Sequence, residues 1–267
     1  SAQDELGEKF DPAFLSINST RGRAIDAVVD YAWWVRRCTD AERKASGQPP
    51  VTFDAMPEVR EVLDTHLDIE KEPTLTIRSL YGRHLTSFAS LDWDWLRTNV
   101  DRILPPGQDD APRFNAAWRS FVGFNQPHPL LLQALMPAYQ RAVRQITAGP
   151  KTKGHPVSPE DRLAEHLMVY YWLGKLEFGA ADRLLYEFYA LVPDELRGHA
   201  MWFVGTSIAN WRDEVPPEVF ERLRNFFQRR LRAAQQAASL EMFTKELANF
   251  GYWFTSQKFE EGWSLEM

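Results

Sequence analysis

The chain has 267 residues, 44% apolar and 25% charged, and a formal net charge of −6 at pH 7. Ten Trp, eight Tyr and seventeen Phe exclude intrinsic disorder, and a single cysteine, Cys38, excludes a disulfide scaffold and fits a reducing compartment. The mild acidity gives no general affinity for nucleic acid or anionic lipid, and no run approaches the ~18 apolar residues of a membrane span.

Helical periodicity dominates the N-terminal half. Ile25, Val28, Val29, Ala32 and Trp33 fall on one helical stripe, with Asn18 or Ser19 as the expected N-cap. Trp34 points away from that stripe, which predicts a helix sandwiched between neighbours. Gly47, Pro49 and Pro50 mark 41–56 as a loop. Helices are expected over 57–70, 75–90, 92–104, 111–123 and 128–147. Thr74 to Ile77 alternate like a strand but are too few to found a sheet. Pro137 falls inside the last helix and predicts a kink or a split.

Residues 149–157 hold two glycines, two prolines and two lysines and read as a linker between helical halves 1–148 and 158–267. Ser158-Pro159-Glu160-Asp161 has the order of a helix start: hydroxyl cap, proline, then acids in the first turn. The helix that follows, to about 176, is apolar around most of its circumference and is expected at the centre. Further helices are predicted over 180–191, 193–211, 217–236 and 239–255, and another begins near Phe259. The expected fold is all-α: an irregular right-handed array of antiparallel helical hairpins, a HEAT-like solenoid, with a compact helical bundle as the alternative. Ser1 in place of an initiator Met and a last helix cut short read as a domain excised from a longer protein. No signal peptide is visible, so the cytoplasm is the default location.

Three stretches together carry a family resemblance: Ile17 to Ala24 leading into an apolar helix, His166 to Gly174, and Tyr252 to Phe259. They resemble the helical, DUF4020-type C-terminal regions of large bacterial anti-phage or conflict proteins, in which an N-terminal effector precedes helical repeats. The resemblance implies a helical sensor or scaffold and carries over no catalytic residue.

Local motifs for chemistry are missing. The sequence has no Cys-x-x-Cys, His-Glu-x-x-His, Gly-x-x-x-x-Gly-Lys-Ser/Thr, Gly-x-Gly-x-x-Gly or Gly-x-Ser-x-Gly. No two of the six histidines stand three or four apart, and His166 reads as a core histidine with one hydrogen bond. Cys38, near a helix C-terminus where the dipole disfavours a thiolate, reads as structural. Asp92-Trp93-Asp94-Trp95 alternates acid and indole, as sugar sites do. Positions i and i+2 face different ways on a helix, so Asp92 is expected to cap, Asp94 to favour the dipole and both indoles to pack.

The 217–236 helix is the most informative segment. Val219, Phe220, Leu223, Phe226, Phe227, Leu231 and Ala234 form a core stripe, and Arg230 falls inside it. An unpaired buried charge is costly, so Arg230 is expected to pair with a carboxylate on a neighbouring helix, and Arg36 to behave similarly. Arg222, Arg229 and Arg232 share the opposite side with Glu218 and Asn225. A mixed, solvated face is expected there, with a nucleic-acid contact through Arg222, Arg229 and Arg232 as the alternative. No catalytic, metal or cofactor residue is assigned. The expected function is non-catalytic protein binding, to another protein or to an effector domain of the same chain. An enzyme whose site forms only in space is the remaining alternative.

Overall fold

The structure is a computed structural model that describes residues 11–146, 158–179 and 183–259. Among the described residues every regular element is helical and no strand occurs, so the chain is all-α as expected. None of the described helices is long and apolar enough to cross a membrane. The chain divides into two compact units, Ser1–Ala138 and Tyr139–Met267. The expected linker 149–157 lies outside the described residues.

In the first unit, α1 (Pro12–Asn18) leads directly into α2 (Thr20–Ala45). Ser19 ends one and caps the other, its side chain accepting from the Gly22 amide. Ile25, Val29 and Ala32 are buried as the stripe predicts. Among the described residues the sandwich expected for α2 is not found: Trp34 is 55% exposed and stacks on exposed Tyr31 at 6.0 Å. The expected loop also begins later, because residues 41–45, Ala-Glu-Arg-Lys-Ala, are strong helix formers and prolong α2.

A 3-10 turn (Phe53–Ala55) and α3 (Pro57–Leu67) follow, with Val59, Leu63 and Leu67 buried. The single helix expected over 75–90 is two, α4 (Leu75–Arg83) and α5 (Leu85–Leu91). His84 leaves the helical region between them, with its ring Nε2 2.8 Å from Asp26 Oδ1 on α2. Thr74 to Ile77 start α4 rather than a strand. Every residue of α4 from Thr76 to Gly82 is buried. It packs most extensively on α7 (Ala111–Phe124) across α6 (Trp93–Ile103) in sequence. Gly82 permits this approach: a Cβ there would lie 1.9 Å from the Ala117 carbonyl oxygen. The helix α8 (Pro129–Gln145) runs through Pro137 without being split.

The second unit is organised around α9 (Pro159–Trp172). Its start is a full capping box, in which Ser158 Oγ accepts from the Asp161 amide and Asp161 accepts from the Ser158 amide. Most of its faces are buried, His166 included, which lies 2.8 Å through Nδ1 from the Tyr139 hydroxyl. α10 (Leu184–Leu191), α11 (Asp194–Ala209) and α12 (Pro217–Gln235) follow. The helix expected over 239–255 is instead a 3-10 turn (Leu240–Phe243), α13 (Thr244–Asn249) and α14 (Gly251–Thr255). Asp194 causes the first break by accepting from the Lys245 and Glu246 amides, which starts α13 afresh. Both α13 and α14 pack on α11, and fully buried Trp253 donates through Nε1 to Met201 O at 2.8 Å. The helix expected beyond Phe259 lies outside the described residues.

Candidate interaction groove

The two sides of α12 behave as the wheel predicts. Val219, Leu223, Phe226, Phe227 and Ala234 are buried, while Phe220 and Leu231 are half-buried at its margin. Arg230 is buried among them and pairs with Glu246 of α13, Nε to Oε1 at 2.5 Å and Nη2 to Oε2 at 2.9 Å. Glu246 is 0% exposed and also accepts from Arg197 Nε at 2.9 Å. Arg197 donates further to the carbonyls of Val192 and Met242. The aromatic faces of Tyr189 and Phe243 lie 4.6 and 5.3 Å from the Arg230 guanidinium. One carboxylate thus ties α11, α12 and α13 together. Arg36 differs from expectation in its partner. It pairs with Asp40 on its own helix at 3.0 Å and reaches the Val51 carbonyl at 3.0 Å.

The opposite side of α12 borders an open groove of about 860 Å³. Glu218, Glu221, Arg222, Asn225, Gln228, Arg229 and Arg232 line it in steps of three and four residues, with Tyr171, Glu177 and Phe178 across from them. From 218 to 232 the stripe runs about 21 Å at 1.5 Å per residue. Arg222 is ion-paired to Glu177. The Tyr171 hydroxyl donates to the Arg222 carbonyl at 2.8 Å. Burial, with the nearby Glu177 charge adding to it, pushes the Tyr171 phenol up to about 12. Gly174 has φ +67°, and a Cβ there would lie 2.9 Å from Arg222 Nη2, so glycine both turns the chain after α9 and leaves room for the guanidinium. Arg229 stands 4.8 Å over the Phe178 ring. Arg232 is exposed in the last turn, where the helix dipole favours a cation.

The structure therefore brings Arg222, Arg229 and Arg232 onto one groove, together with three glutamates. A face of mixed sign offers short-range pairing to a patterned partner. It lacks the one-sign field that tracks a phosphate backbone.

The other candidates fall into structural places. Asp92 caps α6, accepting from the Trp95 amide at 2.8 Å. Trp95 is buried, but Trp93 is 37% exposed rather than packed, because it opens the helix on the solvent side. Cys38 is exposed on α2 and fills no core position. Sequence motifs missed two histidine clusters whose members lie far apart in the chain. His199 Nε2 is 2.9 Å from Glu165 Oε1. Burial raises the Glu165 carboxyl, but its bonds from His199 and Arg162 outweigh that and hold it below the usual range. In the first unit, burial outweighs Asp26 and lowers the His84 pKa. Asp26 itself loses to burial but gains more from Arg83 and His84, and its pKa is lowered. Among the described residues no group of three or more His, Cys, Asp and Glu could hold a metal ion. No protein-family model, curated protein or solved structure matches the chain.

Proposed function

We propose that the chain is a non-catalytic protein-interaction region, a helical sensor or scaffold that docks partners through the α12 groove. One observation carries this: four of the five charged residues that α12 turns to the groove are charge-palindromic about Asn225. Glu218 and Arg232 stand seven residues to either side of it, and Glu221 and Arg229 stand four residues to either side. A helix laid antiparallel along the stripe, with basic residues toward Glu218 and acidic residues toward Arg232, would meet an opposite charge at all four positions. A second copy of the chain presents that order at these four positions, with Arg222, held by Glu177, meeting the neutral Gln228. Such pairing is isologous, with a two-fold axis through Asn225. Solvent-exposed ion pairs contribute about 0.2–1 kcal/mol each, so the self-association is weak, salt-sensitive and seen at high protein concentration.

The finer architecture we favour is a HEAT-like, right-handed array of antiparallel hairpins, since such arrays present elongated surfaces. The resemblance to the C-terminal regions of bacterial defence proteins supports a cytoplasmic role beside an effector domain. Sedimentation of the chain at rising concentration and low salt tests the proposal. Dimers that dissociate with salt support it, and a strict monomer at all concentrations contradicts it. A nucleic-acid contact through Arg222, Arg229 and Arg232 is less favoured, because Glu177, Glu218 and Glu221 line the same groove.

A further inference from the structure

We propose that the first unit holds a site for a small oxyanion, a phosphate or phosphate monoester, anchored on Arg78 of α4. This goes beyond the docking proposal and involves none of its residues. Arg78 is 2% exposed. A buried cation is costly unless it is paired, yet its hydrogen bonds go only to neutral carbonyls. Nη1 donates to Leu67 O at 3.1 Å and to Arg102 O at 3.4 Å, and Nη2 donates to Glu72 O at 3.4 Å. Two of these are long. Nε has no acceptor among the described residues, so the Nε/Nη2 edge, one of the two that can bind an oxyanion with parallel hydrogen bonds, is incompletely used. The carboxylate of Glu72 is already taken by Arg21, His66 and Thr74.

Arg78 lines a cavity of about 280 Å³, and two more arginines, Arg102 and Arg113, line it too. That volume falls just below the range of drug-sized ligand pockets, roughly 300–1,000 Å³, and suits a smaller ligand. Arg102 donates to the neutral Asn99 Oδ1 at 2.8 Å, and Arg113 pairs with Asp110. Burial pulls the Arg78 pKa below the usual arginine value, Tyr81 and Glu72 oppose it, and Arg113 and Arg102 act with it. A bound anion would give a counter-charge to Arg78 and Arg102, whose acceptors are neutral, beside the already paired Arg113. Asp68, Asp101 and Asp110 complete the charged rim. They disfavour a polyanion and suit a ligand with one anionic group and hydrogen-bond donors beside it.

The test is calorimetric titration of the full chain with inorganic phosphate, and separately with glycerol phosphate, against sodium chloride at matched ionic strength. The expected result is saturable binding of at least one phosphate species and none of chloride, weakened tenfold or more in Arg102→Gln/Arg113→Gln. Both replaced side chains lie at the rim, so this variant folds even where an Arg78 replacement does not. Tighter binding of glycerol phosphate would assign the site to monoesters, and tighter binding of phosphate to the free ion. No saturable phosphate binding, or a loss of less than tenfold in the double variant, overturns the proposal.

Discussion

Replacing Glu246 with Gln should destabilise the second unit more than any surface change. The carboxylate is wholly buried and receives three charge-assisted hydrogen bonds, two from Arg230 and one from Arg197. Gln keeps the shape but removes the charge, and its amide turns a donor toward a guanidinium. Arg230 then loses its carboxylate, and Arg197 keeps only the longer contact to Asp194 at 3.4 Å. Breaking a buried pair in this way costs about 3–5 kcal/mol, a large share of a typical total of roughly 5–15 kcal/mol. In urea unfolding followed by tryptophan fluorescence, the midpoint should fall by about 2 M if the slope is near 2 kcal/mol/M. Replacing the whole triad, Arg197→Met/Arg230→Met/Glu246→Leu, should cost far less, because no charge is left stranded. A Glu246→Gln change within about 0.5 kcal/mol, the scale of surface substitutions, would refute the claim that this carboxylate holds three helices together.

Further outcomes follow from other contacts. Gly82→Ala drives a methyl group into the Ala117 carbonyl and should cost about 1–3 kcal/mol of stability, read from the urea midpoint. His84, Asp26 and Glu165 all have folded pKa values below their ordinary ones. Their stabilisation is therefore present above the unfolded pKa values and lost as pH falls through the folded ones. The urea midpoint should drop from pH 7 to pH 5, and His84→Gln should flatten the part of that drop nearest pH 6.5; an unchanged profile would count against the burial of His84. Tyr171 titrates in the opposite sense. Its phenol should ionise near 12 in ultraviolet titration, and its contribution should be lost as pH rises above 10; a phenol ionising at 10 would contradict the burial of Tyr171.

What the sequence made legible was local. Ser19, Asp92 and Ser158 cap where a short side-chain oxygen precedes a helical run, since a cap needs only its own first turn. The α12 stripe was equally plain, down to Arg230 needing an anion, because a 3.6-residue period places each side chain without reference to the rest of the fold. The anion's identity was not legible. Glu246 sits 16 residues away on a helix whose start depends on Asp194, a further 52 residues back. The break at His84 depends on Asp26, 58 residues away. Trp34 misled for a related reason, since an exposed indole and a buried one share the same periodicity. Arg78 gave no local signal at all: it is buried against the ends of α3 and α6, where it bonds the Leu67 and Arg102 carbonyls, and periodicity cannot specify such contacts.

The docking claim is tested most directly by a charge swap measured as sedimentation. One variant, Arg229→Glu/Arg232→Glu, makes the stripe wholly acidic at its four charged palindrome positions, and another, Glu218→Arg/Glu221→Arg, makes them wholly basic. Each alone should be monomeric, and an equimolar mixture should form a heterodimer tighter than the unmodified dimer at low salt. Variants that self-associate as the unmodified chain does, or a mixture that stays monomeric, would contradict the proposal that α12 pairs through this face.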